Sequence, residues 1–360
     1  MTKIAIITDI HFHARNSQYF HDNLFMFLEN TFFPYLEENA IKTVLILGDT
    51  FDKRKNVDFN NLHDVRQRFF DRLENLGIEV KIIYGNHDVY FKNTNDVNSI
   101  DLLLGGYKNI EIVDTHKVFE FDELKIGMIS WINPSNLIES LNWIKTVSVD
   151  VLCGHFEING FEMVKGHTCE NGLKAYIFDR FEKVISGHFH VISDDGRIHY
   201  IGNPNQTSWG DYGLDKGFHV LDTTTRELTL IKNEFHCYEK FEFTDDSIDI
   251  VKFDYEVFRN KIVRLYADLS NLTLKRKLDL FLDKVQEVSF TCDVHNLSQN
   301  KEIIKNTMID VTEIKEGNTL DLINKYIDEM ATDNIDKNKL TDKFKWLYSK
   351  AMEQTTEGVN

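Results

Sequence analysis

Five short segments of this sequence place carboxylate, amide or imidazole side chains directly after an apolar run. In the clearest one, residues 82–84 lead through Gly85 to Asn86, His87 and Asp88, which can bind metal ions or transfer protons. The other four stretches are Asp9-x-His11, Gly48-Asp49-Thr50-Phe51-Asp52, Gly154-His155 and Gly187-His188-Phe189-His190. Because ligands bind at the carboxyl ends of strands in open α/β sheets, this repetition predicts one shared site.

The side chains in these stretches favour metal-assisted chemistry. Oxygen and imidazole ligands without a thiolate suit manganese, iron or zinc, and manganese is the first choice for a mixed aspartate, asparagine and histidine site. Seven candidate ligands are enough for two divalent ions that share one carboxylate: Asp9, His11, Asp49, Asn86, His155, His188 and His190. Such a pair activates a bridging water and neutralises phosphoryl oxygens, so the sequence predicts hydrolysis of a phosphoester.

The elements that must position these groups alternate between strand and helix. Strands are predicted at residues 4–8, 43–47, 82–84, 149–153 and 183–186. Helical patterns cover residues 17–38, where Pro34 is expected to kink or end the helix, and residues 58–76, which Gly77 terminates. From residue 117 the chain is richer in strands, beginning with a hairpin over residues 118–131. The pattern favours an α/β fold of four layers, two facing sheets with helices outside, over one doubly wound sheet.

The last third of the chain carries no ligand cluster. A strand at residues 262–267, a helix at 272–287 and a strand at 288–294 predict a small β-α-β unit. Two amphipathic helical patterns follow residue 313, and they either fold onto their own chain or dock on a partner. We therefore expect three domains, at residues 1–235, 236–312 and 313–360.

Composition limits the classes of protein to consider. The 360 residues are 42% hydrophobic and 28% charged, as in a soluble globular protein, and no apolar run has the length of a membrane span. The chain opens directly into a predicted strand, and its four cysteines have no paired spacing, so we expect a cytoplasmic protein. The net charge of −17 argues against a generic polyanion-binding surface. A local basic run, Lys53-Arg54-Lys55, nevertheless follows the Asp49 stretch.

Taken in order, the five stretches resemble the motifs of the calcineurin-like metallophosphoesterases over about the first 190 residues. Within that superfamily the sequence is most similar to the SbcD-type nuclease subunits of phages and bacteria, the meiotic-recombination-eleven family. The segments that carry this finer resemblance are residues 48–52 and Phe156-Glu157-Ile158-Asn159-Gly160-Phe161, together with the β-α-β unit and helical tail. The resemblance implies a four-layer α-β-β-α sandwich with a small capping domain that helps to place DNA.

The resemblance also implies a role for each site residue. One metal ion would be held by Asp9, His11, Asp49 and His190, and the other by Asp49, Asn86, His155 and His188. His87 would protonate the leaving 3′ oxygen, and Asp88 would orient the His87 ring. Asp52 stands where some relatives carry a histidine, so a phosphate or DNA contact from that position is in doubt. The role of His13 stays unassigned.

The implied activity is that of a manganese-dependent nuclease in DNA recombination, repair and replication. It would act as a 3′→5′ exonuclease on duplex DNA and as an endonuclease on single strands. Its partners would be an SbcC-type coiled-coil ATPase, docked on the tail, and a second copy of the chain, in the cytoplasm of the cell or of a phage host. Two alternatives stay open: a small-molecule phosphodiesterase or phosphatase on the same metal site, and a non-catalytic scaffold with this fold.

Overall fold

The computed structural model describes residues 2–164, 166–243, 248–269, 272–296 and residue 343. The strands are β1 (Lys3–Ile7), β2 (Thr43–Leu47), β3 (Glu79–Ile83), β4 (Ile110–Val113), β5 (His116–Phe121), β6 (Leu124–Ile129), β7 (Val151–His155), β8 (Glu162–Val164), β9 (His167–Thr168), β10 (Lys183–Gly187), β11 (Ser193–Asp194), β12 (Ile198–Tyr200), β13 (Gly217–Asp222), β14 (Leu228–Lys232), β15 (Tyr238–Phe243), β16 (Ile262–Ala267) and β17 (Thr291–Asn296). The α-helices are α1 (Gln18–Phe27), α2 (Phe33–Glu38), α3 (Phe59–Val65), α4 (Asp71–Asn75), α5 (Ser99–Leu104), α6 (Leu137–Thr146) and α7 (Leu272–Val288). Short 3₁₀ turns lie at Ala14–Asn16, Ala175–Phe178, Trp209–Asp211 and Tyr255–Phe258.

Two six-stranded sheets form the centre of the molecule. Their strand orders are β14-β13-β1-β2-β3-β4 and β11-β12-β10-β7-β6-β5. Strands β1 to β4 are parallel, as are β6, β7, β10 and β12, whereas β5, β11, β13 and β14 pair antiparallel with their neighbours. The carboxyl ends of the parallel strands of each sheet therefore lie along one edge.

The apolar side chains divide into layers that follow the period-two alternation of the strands. Ile4 and Ile6 of β1 pack between the sheets with Ile126 and Ile185 of the second sheet. The neighbouring residue Ala5 faces the opposite side, where the phenylalanines of α1 and α2 cover the first sheet. Helix α6 covers the outer face of the second sheet. The predicted four-layer α-β-β-α sandwich is therefore confirmed.

The two predicted N-terminal helices form, each with a five-residue π-helical segment inside it. The first runs from α1 through Leu28–Phe32 into α2, and the second from α3 through Arg66–Phe70 into α4. Pro34 is the second residue of α2 and does not end the helix, which continues to Glu38. Gly77, at a φ of 62°, terminates α4 as expected.

The C-terminal part of the described chain is a small three-stranded sheet with the order β15-β16-β17. Phe281 and Val285 of α7 pack on Val263 and Leu265 of β16, so the predicted β-α-β unit forms. Contacts divide the chain into two units, Met1–Ala267 with Asn271–Val294, and Asp268–Ser270 with His295–Asn360. The predicted tail, residues 313–360, lies outside the described residues except for Lys343, and the three domain boundaries stay a prediction.

None of the helices among the described residues combines the length and the apolarity that a membrane span requires.

Candidate metal centre

The five chemistry-bearing stretches meet at the carboxyl edge of the two sheets. In the first sheet Leu47 lies opposite Ile83, so the loops after β2 and β3 start side by side. In the second sheet Gly187 lies opposite His155 and brings the loop after β10 beside the end of β7. The loops also approach each other very closely. A Cβ on Gly85 would lie 2.2 Å from the backbone nitrogen of Asp49, so only glycine fits there.

One cluster of potential metal ligands consists of Asp9, His11 and His190. The His11 Nε2 atom lies 3.1 Å from His190 Nε2 and 3.9 Å from Asp9 Oδ1. His190 Nε2 lies 3.7 Å from the same Asp9 oxygen. The Thr8 hydroxyl and the His188 backbone N–H both donate to the other oxygen, Asp9 Oδ2, at 2.8 and 2.9 Å. The carboxylate is thereby held with Oδ1 directed at the two imidazoles.

The second cluster consists of Asp49, His155 and His188, with Asn86 between them. Asn86 Oδ1 lies 3.1 Å from His155 Nε2 and 2.8 Å from His188 Nδ1. His155 Nδ1 donates to the Leu47 carbonyl at 2.8 Å, which turns Nε2 toward Asn86 and toward Asp49 Oδ2, 3.4 Å away. A backbone carbonyl on the far nitrogen is a common way of orienting a metal-binding histidine.

Four of these residues adopt a left-handed backbone conformation that residues other than glycine rarely adopt. The φ angles are 49° at Asp9, 46° at His11, 48° at Asp49 and 89° at His188. Such residues cost on the order of 1–3 kcal/mol each and persist where the surrounding structure fixes them. Their concentration at the strand ends marks this edge as a functional site.

Burial and mutual charge shift the pKa values of these groups strongly. Burial lowers the pKa of His11 far below its usual value and that of His188 to about 3, so both rings are neutral, the form that binds metal. Burial alone would raise the pKa of Asp49, but the His155 and His11 imidazoles hold it well below its usual range. Burial opposes charge on His155 too, yet Asp49 and Asp9 raise its pKa to about 9. Asp49 therefore stays ionised, and its charge is stabilised by the neighbouring imidazoles.

The residues present fit divalent metal ions. Asp9 Oδ1 is buried and has no hydrogen-bond partner among the described residues, although it lies between two imidazole nitrogens. A buried carboxylate oxygen without a partner is costly, and a cation is the partner that the surrounding ligand atoms also suit. Carboxylate, amide and imidazole donors are ligands of manganese, iron and zinc. The Asp9 and Asp49 clusters are thus two candidate sites for metal ions.

His87 lies beside the first cluster. Its ring is edge-on to the His11 ring, with centroids 4.9 Å apart. Its backbone N–H donates to Asp49 Oδ1 at 2.7 Å, and its Nδ1 donates to the Asp52 carbonyl at 2.6 Å. The orienting partner of the ring therefore differs from the prediction: it is the backbone of Asp52, not the side chain of Asp88.

Asp88 instead ties the loop after β3 to the loop after β2. It is fully buried, and its carboxylate accepts hydrogen bonds from the backbone N–H groups of Thr50, Phe51 and Gly85 at 2.9 to 3.3 Å. Burial, followed by the neighbouring charge of Asp49, raises the pKa of Asp88 to about 7. Asp88 thus fixes the position of the Asp49 loop and does not face the reaction site.

The two unassigned residues lie at the rim of the centre. Asp52 Oδ1 is 3.8 Å from His11 Nδ1, and Asp52 Oδ2 accepts from the Arg15 backbone N–H. His13 Nε2 accepts from the side-chain amide of Asn61 at 2.9 Å, away from both clusters. Both residues line a cleft with Lys53.

Some contributors to the centre carried no signal in the sequence. The Thr8 hydroxyl fixes Asp9. The Trp131 ring lies against those of His188 and His155, at centroid distances of 5.2 and 5.9 Å. Single threonine and tryptophan residues have no characteristic spacing, so only the fold identifies them.

Comparison with known proteins gives the following matches. The sequence model of the calcineurin-like phosphoesterase family matches residues 2–192. Exonuclease subunit 1 of Enterobacteria phage T4 is 31% identical over 294 residues, which cover 81% of this chain and 82% of the phage protein. Among solved structures, a novel archaeal phosphodiesterase aligns with a TM-score of 0.35 and 19% identity over 64% of this chain and 100% of its own. The nuclease MPE of Pseudomonas putida aligns with a TM-score of 0.28 and 17% identity over 54% of this chain and 66% of its own.

Proposed function

Because the chain belongs to the calcineurin-like phosphoesterase family, we propose that it is a two-metal DNA nuclease, the catalytic subunit of an SbcCD-type complex. The family and the phage relative, named an exonuclease subunit, support a hydrolase that is a nuclease or another phosphoesterase. The finer proposal is a manganese-dependent 3′→5′ exonuclease on duplex DNA with endonuclease activity on single strands. It would serve recombination, repair and replication.

One observation carries the two-metal part of the proposal. Asp49 Oδ2 lies 3.8 Å from His11 Nε2, in the first cluster, and 3.4 Å from His155 Nε2, in the second. A single carboxylate oxygen is therefore within reach of both clusters, as a bridging ligand must be. Asp9, His11, Asp49 and His190 would hold one ion, and Asp49, Asn86, His155 and His188 the other. Two such ions would activate a water and neutralise the charge of the phosphoryl group.

The protein's own part in the reaction is to position groups and deliver a proton. With Nδ1 bound to the Asp52 carbonyl, His87 has Nε2 as the nitrogen that can give a proton to the leaving 3′ oxygen. The bond from the His87 N–H to Asp49 Oδ1 fixes this residue relative to the proposed bridging carboxylate. Asp88 would contribute indirectly, because its carboxylate accepts a hydrogen bond from the backbone of the Asp49 loop at Thr50.

The side chains around the metal centre suit a polyanionic ligand, although the chain as a whole carries a net charge of −17. Lys53, Arg54 and Lys55 line a cleft with Tyr90, immediately beyond Asp52. Lys55 Nζ lies 5.3 Å from the centre of the Tyr90 ring, and the half-exposed Phe91 packs edge-on against Tyr90. Basic side chains that contact phosphates and rings on which bases stack are the usual components of a single-strand binding surface.

A second copy of the chain is the partner that the apolar surface supports. Phe59 at the start of α3 and Leu102 in α5 are 86% and 75% exposed and border the same cleft. An exposed apolar patch of this kind marks an interaction site, and we propose that the patch forms a homodimer. The similarity to a subunit of a phage exonuclease supports an SbcC-type ATPase as a further partner, docked on residues 313–360. With such partners the protein would act in the cytoplasm, or in the cytoplasm of the host if it is a phage protein.

The test of the nuclease uses the full chain with end-labelled linear duplex DNA and Mn²⁺. We expect release of labelled nucleotide that a chelator abolishes. His87→Gln should lower kcat by about 10²–10⁴-fold, the usual contribution of a general acid, while both ions stay bound. The matched control is His236→Gln at an exposed histidine far along the chain, which should leave the rate unchanged.

Other outcomes select the alternatives. Hydrolysis of bis(p-nitrophenyl) phosphate without DNA cleavage would make the chain a small-molecule phosphodiesterase. Bound metal without hydrolysis of either substrate would make it a non-catalytic scaffold. Undiminished hydrolysis by a folded His87→Gln variant would contradict the role of His87.

A further inference from the structure

Lys216 directly precedes β13 and is a buried lysine outside both ligand clusters. Its side chain is 1% exposed. Its ammonium group donates to the His190 carbonyl at 2.9 Å, forms an ion pair with Asp211 Oδ1 at 2.7 Å and donates to Asn203 Oδ1. An ammonium group has three N–H donors, so each donor has one protein partner.

The partner carboxylate of Lys216 is itself fixed. Asp211 Oδ2 accepts hydrogen bonds from the backbone N–H groups of Thr207 and Ser208, both at 2.9 Å. Asn203 and Asp211 are 1% and 5% exposed, so the whole arrangement is removed from water. A fully paired buried network of this kind holds its members in one geometry. Lys216 is therefore a rigid point to which the His190 backbone is attached.

His190 needs such an attachment more than His11 and His155 do. Its side chain is 32% exposed, whereas those of His11 and His155 are 5% and 0% exposed. Packing fixes the buried rings, but a third of the His190 side chain faces solvent. The backbone of His190 must then supply most of the restraint on where its Nε2 lies.

We propose that Lys216 is a positioning residue for His190, and that it sets the affinity of the Asp9–His11–His190 cluster for its metal ion. The proposal rests on the proposed function in one respect, namely that His190 holds a metal ion. Lys216 touches neither the substrate nor the reacting atoms in this scheme, and it acts only through the His190 carbonyl. Its effect should therefore be confined to one of the two ions.

The experiment measures Mn²⁺ binding to the metal-free full-length protein by calorimetry. In Lys216→Met we expect one of the two ions to bind about 10- to 100-fold more weakly, as is typical when a residue that supports a metal ligand is lost. The second ion should bind as in the unmodified chain. Manganese anomalous scattering at limiting metal should show the loss at the Asp9–His11–His190 cluster, and raised Mn²⁺ should restore kcat with KM unchanged.

Two further variants keep the test decisive. Lys216→Met leaves the buried Asp211 charge without its partner, so it is paired with the double variant Lys216→Met and Asp211→Asn, which removes both charges together. The double variant should show the same selective loss. The matched control is Lys232→Met, which breaks the exposed ion pair of Lys232 with Asp215, 53% and 57% exposed, and should change neither ion.

The possible failures are distinguishable. Unchanged binding of both ions in folded Lys216→Met or in the double variant would overturn the role of Lys216 and leave the metal centre intact. An equal loss of both ions, in step with a lower melting temperature, would show a purely structural role and would overturn it too. If the unmodified chain does not bind two ions, the proposed metal centre itself fails.

Discussion

Gly85→Ala should disable the metal centre through one added methyl group. The position precedes Asn86 at the end of β3, in the loop that passes the Asp49 loop at close range. A Cβ at Gly85 would lie 2.2 Å from the Asp49 backbone nitrogen and 2.2 Å from Asp49 Oδ1. The methyl group would therefore collide with the backbone and side chain of the residue that we propose as the bridge between two ions.

The size of the effect follows from the contact distances. Carbon atoms in ordinary contact with their neighbours stay about 3.5 Å away, so the Asp49 loop must retreat by roughly 1 Å. Overpacking of this kind costs about 1–3 kcal/mol in the free energy of unfolding. A displacement of about 1 Å at a catalytic group lowers the rate on the order of 100-fold. We expect both effects, with the loss of activity the larger one.

Two measurements and one control test this reasoning. Urea unfolding of the metal-free protein gives the change in stability, and hydrolysis of bis(p-nitrophenyl) phosphate with Mn²⁺ gives the change in activity. The control is Gly106→Ala, where an added Cβ meets no heavy atom within 4 Å among the described residues. That variant should be as active as the unmodified chain and up to about 1 kcal/mol more stable, because alanine restricts the unfolded chain. A Gly85→Ala protein with full activity and unchanged metal affinity would refute the close approach of the two loops.

Two further predictions concern acid stability and assembly. Burial, with a smaller effect of the His199 charge, lowers the pKa of His219 to about 4. Between pH 6.5 and 4 the unfolded chain therefore binds a proton that the folded chain does not, and the free energy of unfolding falls by about 3 kcal/mol as the pH is lowered through that range. In His219→Leu this part of the loss should vanish, which urea titrations at pH 7 and pH 4 would measure. The double variant Phe59→Glu and Leu102→Glu should convert a dimer to a monomer in sedimentation equilibrium. The control Val251→Glu, at a residue that is 86% exposed like Phe59, should not. An unchanged mass of the double variant would contradict the proposed dimer surface.

The layered sandwich could be predicted because strand and helix patterns alternate along the first part of the chain. Which side chains face which layer is shown by the structure. Ile4 and Ile6 face one side of the sheet, and Ala5 faces the other. The continuation of the helix past Pro34 could not be predicted, because a proline within a helical pattern ordinarily kinks or ends the helix, whereas here the π-helical segment Leu28–Phe32 leads directly into α2. Strand β4 was not predicted either, because its four residues are too few to show a period.

The candidate ligands could be predicted because they lie at or just after the ends of strands, which parallel sheets bring together at one edge. Distances between them, such as 3.4 Å between Asp49 and His155, required the structure. Lys216 could not be predicted for a different reason. It lies 26 residues after His190 and contacts the His190 backbone, so no sequence spacing connects the two.

The partner of the His87 ring could not be predicted for a similar reason, since it is a backbone carbonyl and not the side chain of Asp88. Every residue carries a backbone carbonyl, so a bond to one leaves no mark on the sequence. The His87 ring is oriented by the carbonyl of Asp52, and the Asp52 side chain takes no part in that bond. The side chain at position 52 is therefore free to vary without disturbing the proposed proton donor, provided that the loop keeps its path. That path is held by the Asp88 carboxylate through Thr50 and Phe51, so His87 depends on Asp88 by way of the backbone.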